Sequence, residues 1–244
     1  MPIDKSPVVF QESALAHQIL DDLEGLEIGP AAHNPFGLRT RNVGLSAEQD
    51  PIDHEFFKQS QLEHCGQIAP IHIAADAAEI PLAESSTDFV LHSHVWEHLP
   101  QPLLALEEWV RVTRSGGYIF AIVPKRDAAA TDIDRPVTTL EMLVKAYDRN
   151  AKSANWTRTA PGGSRGHYTV FSLGLLHAIG HWYNASHLRA RLDEVAIQET
   201  DDKVGNGHTI VWQVKKFRGP IGLIPAALAR IKSWQTRTTQ SKVE

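Results

Sequence analysis

The feature that most constrains this chain is the alternation of short apolar segments with helix-patterned ones. Five segments read as strands: 25–29 (GLEIG), 39–46 (RTRNVGLS), 70–76 (PIHIAAD), 87–94 (TDFVLHSH) and 118–124 (YIFAIVP). The last is a near-continuous apolar run, as expected of a strand buried on both faces of a parallel sheet. Helical patterns lie around them. One runs from about Gln11 to Asp22, and another from Pro51 to Gly66, with Phe56, Phe57 and Leu62 on one face. A third covers 100–117: Pro100 and Pro102 open it, Leu103, Leu106, Trp109 and Val110 repeat along it, and Gly116-Gly117 stop it. Further helices are expected from Thr138 to about Arg149 and from Ser172 to Tyr183. Two strands, 194–200 and 208–216, then follow each other across a short Asp/Gly/Asn turn with no helix between. This order predicts an α/β fold with a doubly wound, mostly parallel seven-stranded sheet and an antiparallel last strand.

At 244 residues and 42% hydrophobic, the chain is long enough for one sizeable core. The reading is a single domain over 1–217, with an inserted lid region at about 125–170 and a basic tail over 218–244. A net charge of -5 gives no electrostatic footprint for nucleic acid. The lone cysteine, Cys65, excludes an internal disulfide framework and is read as a packing residue. No signal peptide and no eighteen-residue apolar run is found, so a cytoplasmic location is expected. From Lys215 onward, seven Lys/Arg face Glu244 alone. Within the tail, Ile224, Leu228 and Ile231 recur at helical spacing. That face would pack on the body of the molecule or on a second copy in a homodimer; contact with an anionic membrane surface is the sharper alternative.

Sheets of this kind bind ligands beyond the carboxyl ends of their strands, where the strand order reverses. Chemistry is therefore expected in 29–37, 43–46, 76–78 and 93–98. Gly29 permits a close backbone turn after the first strand. The acidic Glu27 before it, with no Gly-Lys-Ser/Thr following, argues against a phosphate cradle and for a cationic or hydroxyl-bearing ligand.

The stretch Ala75 to Pro124 carries an Asp after the third strand, S-x-x-D-x-V leading into the fourth, then H-V-W-E-H-L-P, and R-V-x-x-x-G-G before the fifth. In this it resembles the class I S-adenosylmethionine-dependent methyltransferases, specifically the type 11 group. The resemblance covers Leu26 to Pro124, and more weakly the segments DRPVTTLEMLVKAY and HYTVF. It implies a Rossmann-like methyltransferase fold with S-adenosyl-L-methionine as cofactor. Residue by residue, it implies that Glu27, Gly29 and Ala31 lie in the first cofactor motif, under the methionine and ribose. Asp76 and Ala77 would meet the adenine, and Ser93 and His94 would flank the sulfonium. Two departures stand out. Ala31 and His33 occupy the places of later glycines, so the loop must turn differently, with Asn34-Pro35 helping. The ribose-binding acid would fall at Gly44, leaving Asn42, Ser46 or Glu48 to compensate. The bland alternatives are a helix N-cap for Asp76 and an ion pair with Arg41 for Glu27.

Methyl transfer from a sulfonium needs an aligned nucleophile, exclusion of water and, for a hydroxyl acceptor, a base. His94 and His167 are the candidate catalytic residues; His94 can equally be cofactor packing. His98 is read as capping a turn. Asp132, Asp134 and Arg135 are either substrate contacts or a solvated loop. Among thirteen histidines, His92-x-His94 and His177-xxx-His181 have pairwise metal-like spacing. No Cys or carboxylate cluster completes a set, so no metal is expected. The acceptor implied is a small molecule, with a sugar or glycosylated metabolite favoured. The rival readings are a catalytically inactive methyltransferase-fold protein acting as a binding partner, and a nicotinamide-dependent oxidoreductase. The second lacks its Gly-x-Gly-x-x-Gly turn.

Overall fold

The computed structural model describes residues 7–147, 149 and 166–217. Of the expected lid region at about 125–170, residues 148 and 150–165 lie outside the described residues, as does the basic tail from Arg218. The strands are β1 (Gly25–Ile28), β2 (Thr40–Gly44), β3 (Ile73–Ala74), β4 (Thr87–Ser93), β5 (Thr113–Pro124), β6 (Ala190–Gln198) and β7 (Gly207–Lys216). They form one seven-stranded sheet in the order β3-β2-β1-β4-β5-β7-β6. β1 to β5 pair in parallel, and β7 runs antiparallel between β5 and β6. The expected seven-stranded sheet with an antiparallel last strand is present.

The helices are α1 (Ala14–Leu20), α2 (Pro51–Cys65), α3 (Pro102–Val112), α4 (Leu140–Ala146) and α5 (Leu173–Ser186). Ser13, Thr139 and Ser172 cap α1, α4 and α5, each accepting a main-chain N–H two positions inside its helix. α3 carries the clearest apolar stripe, and Leu103, Leu106, Trp109 and Val110 are all buried. No helix of the described residues is long and apolar enough to cross a membrane.

Two expectations change. First, α3 ends at Val112, short of Gly116-Gly117. Thr113 already pairs with Thr87, so the segment up to the glycines is strand. A Cβ on Gly117 would sit 2.2 Å from the Asp88 carbonyl oxygen, which makes this glycine a site of close strand approach, where the sequence suggested a helix stop. Second, the apolar face of α2 does not enter the core: Phe56, Phe57 and Leu62 are exposed, and the helix buries only Gln61. The connection from β1 to β2, where the sequence pattern offers no helix, contains none. It is an irregular loop closed by turns, and Phe36 is its buried anchor.

Candidate functional site

The strand order reverses between β1 and β4, and their carboxyl ends open a crevice there. Gly29 donates its N–H to the Val43 carbonyl at 2.9 Å and turns at φ +64. A Cβ at this position would lie 2.6 Å from Val95 Cγ2, so both backbone sign and space require glycine. In place of the missing glycines, the loop is fixed by polar contacts. The Asn34 N–H donates to Ala31 O, and the Ala32 N–H donates to Gln61 Oε1 of α2 at 2.8 Å. The Asn34 side chain reaches Ser93 Oγ at 3.3 Å, joining the loop to the end of β4. Ala31 and Ser93, both expected at the cofactor, are thus brought to the same crevice, and Asn34 acts as anticipated.

Glu27 lies buried on β1. Burial raises its pKa to about 7, against the opposing pull of Lys203 and a hydrogen bond with Thr40. The alternative reading of Glu27, an ion pair with Arg41, is not what the structure shows. Arg41 is exposed, and the cation acting on Glu27 is Lys203, from the β6–β7 turn. Lys203 is itself buried; its ammonium donates to Gln11 O at 3.2 Å and to Pro35 O, and lies 4.4 Å over the Phe36 ring. Desolvation lowers its pKa to about 8. The turn that presents it is wound around Asp201, whose carboxylate accepts four main-chain N–H groups, from Lys203, Val204, Gly205 and Gly207. Nothing in local sequence marks Lys203 as a partner of the first strand.

At the end of β2, Gly44 faces Ile71: a Cβ there would lie 2.8 Å from Ile71 Cδ1. The residues expected to compensate for the absent acid are mostly committed elsewhere. Asn42 is buried and donates to Pro70 O at 2.8 Å, Ser46 and Gln49 close a local turn, and Glu48 is exposed. Asp76 does not cap a helix. Its Oδ1 accepts the Ala78 N–H at 2.8 Å within a tight turn, and its other oxygen makes no hydrogen bond among the described residues. Ala77 is buried, its carbonyl held by Trp109 Nε1 at 2.9 Å. Beside them, beyond the ends of β2 and β3, opens a cavity of about 770 Å3 that includes Leu45, Gln49, Asp76 and Glu79. A second, of about 340 Å3, lies at the opposite, amino ends of the strands near Gly25 and Thr87 and touches none of these residues.

Past Ser93 the chain turns sharply. His94 adopts φ +56, uncommon for a residue with a side chain and often found at functional sites. A 3-10 turn, Trp96–His98, then places Glu97 and His98 inward. Glu97 is fully buried; its Oε1 stands 3.8 Å from His94 Nδ1 and 3.7 Å from His98 Nε2. Neither carboxylate oxygen has a hydrogen-bond partner among the described residues, and burial raises the pKa of Glu97 to about 8. Burial also lowers His98 to about 4 and lowers His94. His98 approaches the Gly166 main chain, and His94 the Asn206 side chain. His167 arrives from beyond α4, its ring centroid 4.8 Å from that of His98. Its Nδ1 is bonded to Asp132 Oδ2 at 2.5 Å, and Asp132, buried, is gripped on its other oxygen by Arg135 at 2.5 Å. Asp132 thereby fixes the orientation of the imidazole through Nδ1.

The histidine pairs suggested by spacing do not assemble. His92 lies in the core against Trp96 and Trp109, where burial lowers its pKa to about 3. His177 pairs with Glu194 at 2.7 Å, and His181 is exposed. What the fold does bring together is Glu97, His98 and His167, with one ligand atom from each within 4.8 Å of the others. The sequence offered His98 as a turn cap and placed Glu97 and His98 only near the His92-x-His94 pair, with no set completed. The only signal for the set was the Glu-His dipeptide after a strand, and its third member lies 69 positions further along the chain than His98.

A parallel sheet reversing between β1 and β4, with β7 antiparallel at the far side, is the architecture of a class I methyltransferase. Residues 30–121 match the family described as "Methyltransferase domain". An uncharacterized methyltransferase of Mycobacteroides abscessus is 48% identical over 85 residues, which is 35% of this chain and 30% of that relative. Among solved structures, an S-adenosylmethionine-dependent methyltransferase from Aquifex aeolicus aligns with a TM-score of 0.42 and 15% identity, covering 80% of this chain and 82% of that one. One from Methanosarcina mazei aligns with a TM-score of 0.46 and 14% identity, covering 84% and 98%. The strand order is thus that of the Rossmann-like methyltransferase fold, and the family match lies within it over residues 30–121.

Proposed function

We propose that this chain is an enzyme that binds S-adenosyl-L-methionine in the β1/β4 crevice and transfers its methyl group to an oxygen or nitrogen of a small molecule. A sugar or glycosylated metabolite is the acceptor class we favour, on the resemblance of the segments after β5. The observation that carries the reading is the convergence of Gly29, Asp76 and Ser93 at the carboxyl ends of β1, β3 and β4. A bare backbone turn meets the nucleoside, a carboxylate with one oxygen to spare meets the adenine amino group, and the end of β4 flanks the sulfonium.

In this reading the acceptor lies against the imidazoles beyond Ser93. As its oxygen or nitrogen bonds to the methyl carbon, the carbon–sulfur bond breaks and neutral S-adenosylhomocysteine leaves. A hydroxyl acceptor must also shed its proton. His94, first residue past β4, is the group placed to take it, and His167, held by Asp132, orients the acceptor from the opposite side. Isothermal titration with S-adenosylhomocysteine tests the reading. The wild-type protein should release heat, and Asp76→Ala should bind about tenfold or more weakly, the loss of one hydrogen bond to a charged group. Absence of heat with folded wild-type protein would remove the cofactor from the crevice.

A further inference from the structure

Elsewhere in this protein, histidines that meet carboxylates do so at hydrogen-bond distance. His17 lies 2.7 Å from Asp21 and His177 lies 2.7 Å from Glu194, and His187 and Glu107 are closer still. Around Glu97 the pattern differs. The His94 and His98 nitrogens stand off its Oε1 at 3.8 and 3.7 Å, so that a buried carboxylate makes no hydrogen bond among the described residues while flanked by imidazoles. A buried ionisable group is normally satisfied, because leaving it alone is costly. Ligand atoms around a shared metal ion stand apart rather than hydrogen-bond: bonds of about 2.0–2.2 Å put neighbouring ligands roughly 3–3.6 Å from one another. Glu97, His98 and His167, with ligand atoms within 4.8 Å, would therefore draw slightly together on an ion.

The group behind His167 points the same way. Metal-bound imidazoles commonly donate their second ring N–H to a carboxylate, which fixes the tautomer and raises the basicity of the ligating nitrogen. Asp132 does this for His167 Nδ1 at 2.5 Å, and Arg135 in turn holds Asp132.

We infer that Glu97, His98 and His167 bind one divalent transition-metal ion of the zinc class, with at least one coordination position open toward the acceptor. Two imidazoles and one carboxylate, without thiolate, suit Zn2+ and its neighbours better than Mg2+ or Ca2+, which favour oxygen sets. The purpose of the open position rests on the methyltransferase reading. An acceptor hydroxyl bound there would ionise near neutral pH, its proton passing to His94 and then to water. The resulting alkoxide oxygen would form the bond to the methyl carbon as the carbon–sulfur bond breaks.

The test uses tag-free full-length protein, stripped with a chelator and titrated with Zn2+. We expect one tight equivalent per chain and a raised melting temperature. Glu97→Gln and His167→Gln should each weaken binding by about a hundredfold, and Asp132→Asn by roughly tenfold to a hundredfold. His177→Ala, away from the cluster, should bind as wild type does. If Glu97→Gln does not fold, His167→Gln decides, since its side chain is not part of the apolar core. Absence of a tight equivalent in the wild type, or unchanged binding in both variants, would overturn the site and leave only scattered surface histidines. S-adenosylhomocysteine titrated into the stripped protein separates the two readings. Cofactor binding without Zn2+ binding sinks the metal alone, and the reverse sinks the methyltransferase reading alone.

Discussion

On one face of the sheet, Trp96 packs 5.3 Å from Trp109, 5.2 Å from Phe171 and 6.1 Å from Trp212, and α3 and α5 seal the cluster with Leu103, Leu106, Leu176 and Ile179. On the other face, α1 buries Ala16 and Leu20 in a smaller cluster around Phe36, Phe89 and Phe120, with Leu15 and Ile19 of the same helix packed half-buried against it. What the second face lacks in apolar area it replaces with long-range polar ties. Asp202 accepts from Ser13 Oγ at 2.6 Å and from the Leu15 N–H at 2.8 Å, and Lys203 holds Pro35 and Gln11. The β1–β2 loop, which borders the crevice proposed for the cofactor, is built on that thinner face. The comparison teaches that the framework of the crevice is set by hydrophobic packing, whereas the loop closing it is set by a few buried hydrogen bonds and one lysine.

The comparison can be broken by substitution, starting on the tryptophan face. Trp109→Ala should cost about 3–5 kcal/mol in urea unfolding, from lost burial and the unpaired Ala77 carbonyl. Lys203→Met, on the other face, should cost less, about 2–3 kcal/mol, because it strands the Pro35 and Gln11 carbonyls. A loss from Lys203→Met equal to that of Trp109→Ala would erase the distinction between the faces.

Glu27 sharpens the picture through pH. Its folded pKa, about 7, lies above the ordinary 4.5, so the stability it contributes is present below about pH 4.5 and is lost as pH rises through 7. Between those limits, wild type should therefore lose on the order of 3 kcal/mol relative to Glu27→Gln. Denaturant titrations of both proteins at pH 4.5 and 7.5 read this difference, and parallel changes would mean that Glu27 is not strained by burial. The smallest effect is expected at α2. Phe56 is 44% exposed, so Phe56→Ser should change stability by no more than about 0.5 kcal/mol. A cost comparable to a core truncation would mean that this face is covered in solution.

These contrasts also mark what could be read from the sequence. The strands and α3 were legible because the apolar period of each matches its own geometry over several residues. The end of α3 was not, because Gly116-Gly117 fits a helix stop and a tight strand approach equally well, and pairing with Thr87 decides between them. The exposure of Phe56 and Phe57 was likewise invisible, since their spacing fits a buried face and only the placement of α2 at the rim exposes it. Around the crevice, the positions of Gly29, Asp76 and Ser93 at strand ends were legible, because each closes a short apolar run. Lys203 with Glu27, and His167 with Glu97 and Asp132, were not, because each pairing depends on chain segments that meet only after the sheet has closed.

The Lys203 contact also orders events during synthesis. It lies 168 residues beyond Pro35, and Asp202 lies 189 beyond Ser13. While the ribosome is still translating β6, α1 and the β1–β2 loop therefore lack the ties that fix them, and Phe36 and Phe89 have only a partial shelter. The crevice that opens the chain is among the last parts to set, because closing such distant contacts is slow. Stalled nascent chains should report this directly. Chains whose exposed portion stops short of Asp201 should be cut by protease between Gly29 and Arg39, and chains extended past β7 should resist; early resistance would show that the loop sets without its lysine.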